Sequence, residues 1–108
     1  MTENQQIKEA FVKLRDFGNI VFNFNSNKPN NRGIAGFVDW VIVTKKLNVV
    51  FIEVKIKETG DTLKPDQEAL LNRLCSITGI QGSRVHYFLV RDAKQAQNIQ
   101  KDILNGKL

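Results

Sequence analysis

The sequence predicts an α/β domain: a mixed central β-sheet flanked by helices, with elements in the order α-β-β-β-α-β. Three observations carry this. Two adjacent runs, Trp40-Val41-Ile42-Val43 and Val49-Val50-Phe51-Ile52-Glu53-Val54-Lys55-Ile56, have the β-branched and aromatic residues that suit a pleated strand. Two stretches show apolar residues at helical spacing on either side of them. A further strand-like run after the second helix implies a crossover, and hence a parallel pair in the sheet.

The first helix is read over residues 3–17. Ile7, Ala10, Phe11, Leu14 and Phe17 recur at three- and four-residue intervals and form one apolar stripe. Glu3 stands one turn before Ile7, at the polar head of that stripe. It is either a favourable partner of the helix dipole or an acid looking into a site on the inward side. Gly18 is the expected stop. Ile20-Val21-Phe22-Asn23-Phe24 reads as the first strand, and the polar, turn-rich segment 25–33 as a surface loop. That loop offers Lys28 and Arg32 to an anionic backbone.

Only Lys45-Lys46-Leu47-Asn48 and the preceding Thr44 separate the next two strands, which predicts an antiparallel hairpin. Glu53 and Lys55 alternate onto one face, roughly 7 Å apart. Asp39 is expected opposite residue 53 or residue 55, and both registers leave a three-residue loop. Either one brings two carboxylates and an ammonium into one patch, with directly opposed Cβ atoms about 4.5–5.5 Å apart. Charges in that setting are costly unless compensated. A hard divalent cation, Mg²⁺ or Mn²⁺, compensates them, and with Lys55 beside it the set suits metal-assisted phosphodiester hydrolysis.

Pro65 suits the first turn of a second helix, whose stripe is Gln67, Leu70, Leu71, Leu74 and Ile77. Gln67 is an amide at the head of an apolar face. A capping box would explain it, but Lys64 stands where that box wants Ser, Thr or Asp, so Gln67 is expected to face Asp39 and Glu53. Cys75 is read as a small packed residue. Arg84 to Val90 is the last strand, with His86 structural within it. A final helix from about Ala93 to Leu104 carries Ala96, Ile99 and Ile103.

Length and composition bound the rest. A chain of 108 residues forms one domain, 1–108, and not two. With 42% hydrophobic and 25% charged residues it is neither disordered nor fibrous. A net charge of +5 favours an anionic partner, nucleic acid before membrane. One cysteine and one histidine exclude an internal disulfide and argue against structural zinc. The polar N-terminus and the lack of a long apolar run lead to the expectation of a cytoplasmic protein without a membrane partner.

The element order, with Gly36 and Asp39, Phe51-Ile52-Glu53-Val54-Lys55, Pro65 with Gln67, and Glu3 on the first helix, resembles the PD-(D/E)xK nuclease superfamily. More narrowly it is similar to the VRR-NUC branch, whose small stand-alone members occur in phages and resemble Holliday-junction resolvases. The resemblance covers residues 3–91. It implies a restriction-endonuclease-like core in which Asp39, Glu53 and the main-chain carbonyl of Val54 hold Mg²⁺ or Mn²⁺. Lys55 would position or activate the attacking water, and Gln67 would support the site, with Glu3 the further candidate. It departs from the family at Val38, where a Pro is usual, and at Lys64, which replaces a small hydroxyl cap.

The expected function is a metal-dependent DNA endonuclease on branched DNA such as a four-way junction. Two matched cuts from single-site chains imply a homodimer. Lys28, Arg32, Lys57 and Lys64 are the backbone-contact candidates, with Lys45 and Lys46 behind them. The alternatives are a nucleic-acid-binding module that keeps the fold without cleaving, and a nicking or flap nuclease.

Overall fold

The computed structural model describes residues 1–24, 37–57 and 62–108. The elements are α1 (Glu3–Val12), a 3-10 segment (Lys13–Phe17), β1 (Ile20–Asn23), β2 (Trp40–Val43), β3 (Val49–Val54), α2 (Pro65–Thr78), β4 (Val85–Val90) and α3 (Ala93–Leu104). The four strands form one sheet in the order β1-β2-β3-β4. The first two pairings are antiparallel and β3 runs parallel to β4, so the sheet is mixed.

Thr2 caps α1 by accepting the N–H of Gln5, whose side chain accepts the N–H of Thr2 in return. The expected helix over 3–17 is regular only to Val12; its remainder tightens into 3-10 geometry and stops at Gly18, which has φ +85°. The tighter coil replaces the 3.6-residue period on which the stripe was drawn, and Phe17 ends up half-exposed.

The main core lies between the sheet and the pair α1 and α3. Ile7, Phe11 and Leu14 meet Ile42, Val50, Ile52 and Val90, with Ala96, Ile99 and Ile103 closing the layer from α3. Phe11 meets Trp40 edge to face, with ring centroids 5.4 Å apart. Alternation along β3 sends Val50 and Ile52 into this core and therefore turns Phe51 and Glu53 to the other face.

That other face carries α2, which packs on β4 and covers the face only in part. Only Leu74 of the expected α2 stripe is buried, and Ile77 is half-exposed. Cys75 is exposed rather than packed, because a helix touching one strand of a sheet presents little of its circumference to it.

The β2–β3 hairpin turns over Lys45–Leu47. The N–H of Thr44 donates to the carbonyl of Asn48 at 2.8 Å, and that of Leu47 to the carbonyl of Thr44 at 2.8 Å. Leu47 has φ +66°, the left-handed conformation that such three-residue loops usually give to Gly or Asn.

Candidate active site

The ladder pairs Trp40 with Ile52, and the N–H of Asp39 donates to the carbonyl of the same Ile52 at 3.0 Å. Two successive residues of one strand thus oppose one of its neighbour, the pattern of a β-bulge. Asp39 consequently sits at neither register position as a simple cross-strand partner. Its Oδ2 accepts the N–H of Val54 at 2.8 Å, where a regular ladder would offer a main-chain carbonyl. On its other side, the carbonyl of Asp39 accepts the N–H of Phe24 at 2.7 Å. The bulge is therefore held from both neighbouring strands, and its carboxylate is fixed at the end of β3.

Glu53 is 2% exposed. Its Oε1 accepts from Gln67 Nε2 at 3.0 Å and lies 3.9 Å from Lys55 Nζ. Asp39 and Glu53 are close enough to hydrogen-bond through a shared proton. Burial, reinforced by the negative charge of Asp39, pushes the Glu53 carboxyl up from near 4.5 to about 8, against the pull of Lys55. Burial also raises Asp39, opposed by the Val54 N–H, by the hydrogen bond with Glu53 and by Lys55. Both carboxyls are thus held above the ordinary carboxylate range.

Gln67 combines a capping role with a role at the site. Its Oε1 accepts the N–H of Lys64 at 2.9 Å, the returning half of a capping box, while its Nε2 reaches Glu53. The Lys64 ammonium has no acceptor to complete the box. One amide thus ties the start of α2 to the carboxylate pair.

Asp39, Glu53, Lys55 and Gln67 come together; Glu3 does not join them. Its Oε1 accepts the N–H of Ala93, the first residue of α3, ninety positions along the chain. That N–H is one of the donors a helix start leaves without an internal partner. Among the described residues no three His, Cys, Asp or Glu side chains form a metal-holding group. Lys57 and Lys64 are exposed beside the cluster, flanking β3 and opening α2. Lys28, Arg32 and Gly36 lie outside the described residues.

The sequence alone does not single out Tyr87. It pairs with Phe51 across β3–β4 and so shares the face of Glu53. Its phenol is pushed up to about 12, first by burial and then by the charges of Glu53 and Asp39. Finding it required the parallel register, which nothing local in the sequence specifies.

A buried and a half-buried carboxylate side by side, with one ammonium nearby, form a hard-oxygen donor set that suits Mg²⁺ or Mn²⁺. Mg²⁺ commonly uses one or two carboxylates and leaves its other positions to water and phosphate. Asp39 and Glu53 would hold it. In an extended strand the Val54 carbonyl lies on the same edge as its N–H, the edge that meets Asp39, which suits it to a third position.

No family model matches the chain, and neither does any curated protein sequence. Among solved structures it is similar to one described as a VRR_NUC domain, at 21% identity and a TM-score of 0.62, over 92% of this chain and 94% of that one. The chain has the fold of a VRR_NUC domain.

Proposed function

We propose that this chain is a divalent-metal-dependent endodeoxyribonuclease. The observation that carries the reading is the pairing of buried Glu53 with half-buried Asp39, with Lys55 Nζ 3.9 Å from Glu53, at the end of two strands of a nuclease-type fold. When bound, Mg²⁺ or Mn²⁺ supplies Lewis-acid polarisation of the phosphodiester and lowers the pKa of water at the site.

The chain's own residues do the rest. In their ionised form Asp39 and Glu53 present a fixed negative edge. Gln67 Nε2 holds the rotamer of Glu53, and the Val54 N–H holds Asp39. Lys55 Nζ, already beside Glu53, donates to a non-bridging phosphoryl oxygen and offsets charge that grows there as water adds and the P–O bond to the leaving oxygen breaks. The attacking water loses a proton and the leaving oxygen gains one. Lys57 and Lys64 flank the cluster and suit the adjoining phosphates.

The finer reading is cleavage of branched DNA, a four-way junction above all, by a two-fold dimer, since one chain offers one such cluster and resolution needs two matched cuts. The test is a panel of labelled junction, flap, nicked and linear duplexes incubated with Mg²⁺, Mn²⁺ or EDTA, with Asp39→Asn alongside. Metal-dependent cutting that Asp39→Asn loses while retaining DNA binding supports the proposal. Cutting retained by Asp39→Asn, or salt-sensitive binding with no cutting of any substrate, refutes it.

A further inference from the structure

The face of the sheet that carries Glu53 is aromatic next to the site and only partly covered. Register aligns Phe22, Val41, Phe51 and Tyr87 in one row across the four strands. The next row holds Glu53, so the two rows are roughly 7 Å apart, about the height of two stacked bases. The rings of Phe22 and Phe24 lie 6.1 Å apart and nearly parallel at 27°. Phe37 then bridges Phe24 to Phe51 edge to face, at 5.1 and 6.3 Å. The ring chain ends two residues before Glu53 on the same strand face, and Phe24 is itself hydrogen-bonded to Asp39.

On this face α2 packs on β4, and Phe22 remains 47% exposed. A fold that could have placed a polar residue there keeps an open ring instead, on the sheet face that carries Glu53 and in a chain of net charge +5. A second copy of the chain would bring another +5 against it, whereas a polyanion with flat apolar bases complements both the charge and the rings.

We infer that the Phe22–Phe24–Phe37–Phe51 chain is a base-stacking surface for unpaired nucleotides adjoining the Asp39–Glu53 site. This rests on the nuclease reading for its substrate class and refines it: within branched DNA, forms with a single-stranded stretch beside the cut, such as a flap, are preferred over a fully paired junction. Rings that stack on bases, combined with nearby cations that track phosphates, are the usual means of holding single strands without sequence preference.

The test is binding in EDTA, where no cleavage intrudes, using an oligothymidylate carrying one 2-aminopurine and a blunt duplex as reference. The expected result is quenching of the 2-aminopurine by the wild type, and single-strand affinity at least roughly fivefold weaker in Phe22→Ala with duplex affinity unchanged. Phe22→Trp should retain the affinity, and its own emission should fall on adding the oligonucleotide, which keeps the test open should Phe22→Ala fold poorly. Equal affinities of wild type and Phe22→Ala for the single strand, or no single-strand binding at all, would overturn the inference. So would a shift from dimer to monomer in Phe22→Ala sedimentation with binding unchanged, which would give the face to a second copy. Phe22-dependent binding without cleavage under Mg²⁺ or Mn²⁺ would sink the nuclease reading alone. Intact metal-dependent cleavage with no effect of Phe22 would sink this inference alone.

Discussion

The carboxylate of Asp39 accepts the main-chain N–H of Val54 at 2.8 Å, so a side chain completes the β2–β3 ladder at the point where a bulge breaks it. Asn at this position keeps an oxygen for that N–H and loses only the charge. Asp39→Asn should therefore fold, bind DNA and lose cleavage by on the order of 10²–10³-fold or more. Its metal-free form should also titrate Glu53 at lower pH, because the negative charge of Asp39 is the second cause of that residue's raised pKa. Carbonyl-region NMR of carboxylate-labelled protein reads the midpoint directly. An unmoved Glu53 midpoint would mean that burial alone sets it.

The raised Glu53 pKa makes stability depend on pH with a definite sign. Below about 4.5 the proton is bound in folded and unfolded chains alike. Between about 4.5 and about 8 the folded chain keeps a proton that the unfolded chain has lost, so stability falls as pH rises through that window and levels off above it. Asp39, raised as well, adds in the same direction. Thermal melts in EDTA should show this fall in the wild type and a flatter profile in Glu53→Gln. Bound Mg²⁺ replaces the proton, so the gain in Tm from added Mg²⁺ should grow from pH 5 to pH 8. A gain that shrinks with pH would exclude the pair as the metal-binding group.

The double bond-making of Gln67 can be divided by substitution. Gln67→Ala loses both the cap on Lys64 and the donor to Glu53, with an expected cost of about 1 kcal/mol in stability and about 10- to 100-fold in cleavage. Gln67→Glu restores an acceptor for the Lys64 N–H but places a third carboxylate against the pair. It should recover most of the stability in acid, where it is protonated, and little of the activity at neutral pH. Melts and cleavage rates measured on the same preparations separate the two effects. Parallel recovery of both would reduce Gln67 to a capping residue.

The strands, the α2 crossover and the carboxylate pair were legible because each rests on a local pattern: the apolar runs around Trp40 and Phe51, Pro65 at a helix start, Glu53 and Lys55 two apart. What escaped depends on pairing between distant segments. The bulge at Asp39 is an event between two strands, and neither strand's residues announce it. Tyr87 reaches the site only through the parallel register of β4 with β3. The exposure of Cys75 and Ile77 follows from where α2 lands on the sheet, which the helix's own apolar spacing does not encode. Glu3 shows the same limit, since the N–H that donates to it lies ninety residues away.

Leu47 provides a test of the hairpin that leaves the site alone. It is 73% exposed and holds φ +66°, a conformation that costs an L-residue with a Cβ roughly 1–2 kcal/mol. Leu47→Gly removes that strain but adds backbone freedom to the unfolded chain, for a net gain of about 0.5–1 kcal/mol. The urea midpoint should rise with an unchanged m-value. A fall would show that the exposed leucine contributes a contact the bare turn geometry does not reveal.

Glu3 distinguishes a structural acid from a reacting one. Its carboxylate takes the Ala93 N–H and so ties α1 to the start of α3. Glu3→Ala should cost about 1 kcal/mol of stability, the usual scale for losing a helix-start acceptor. Glu3→Gln keeps an oxygen for the same N–H and should lose much less. Both variants should cleave DNA at near wild-type rates once assayed well below their melting temperatures. A Glu3→Gln protein that melts like the wild type yet has lost cleavage would move Glu3 back among the catalytic residues, by way of a substrate-bound arrangement in which its carboxylate leaves Ala93.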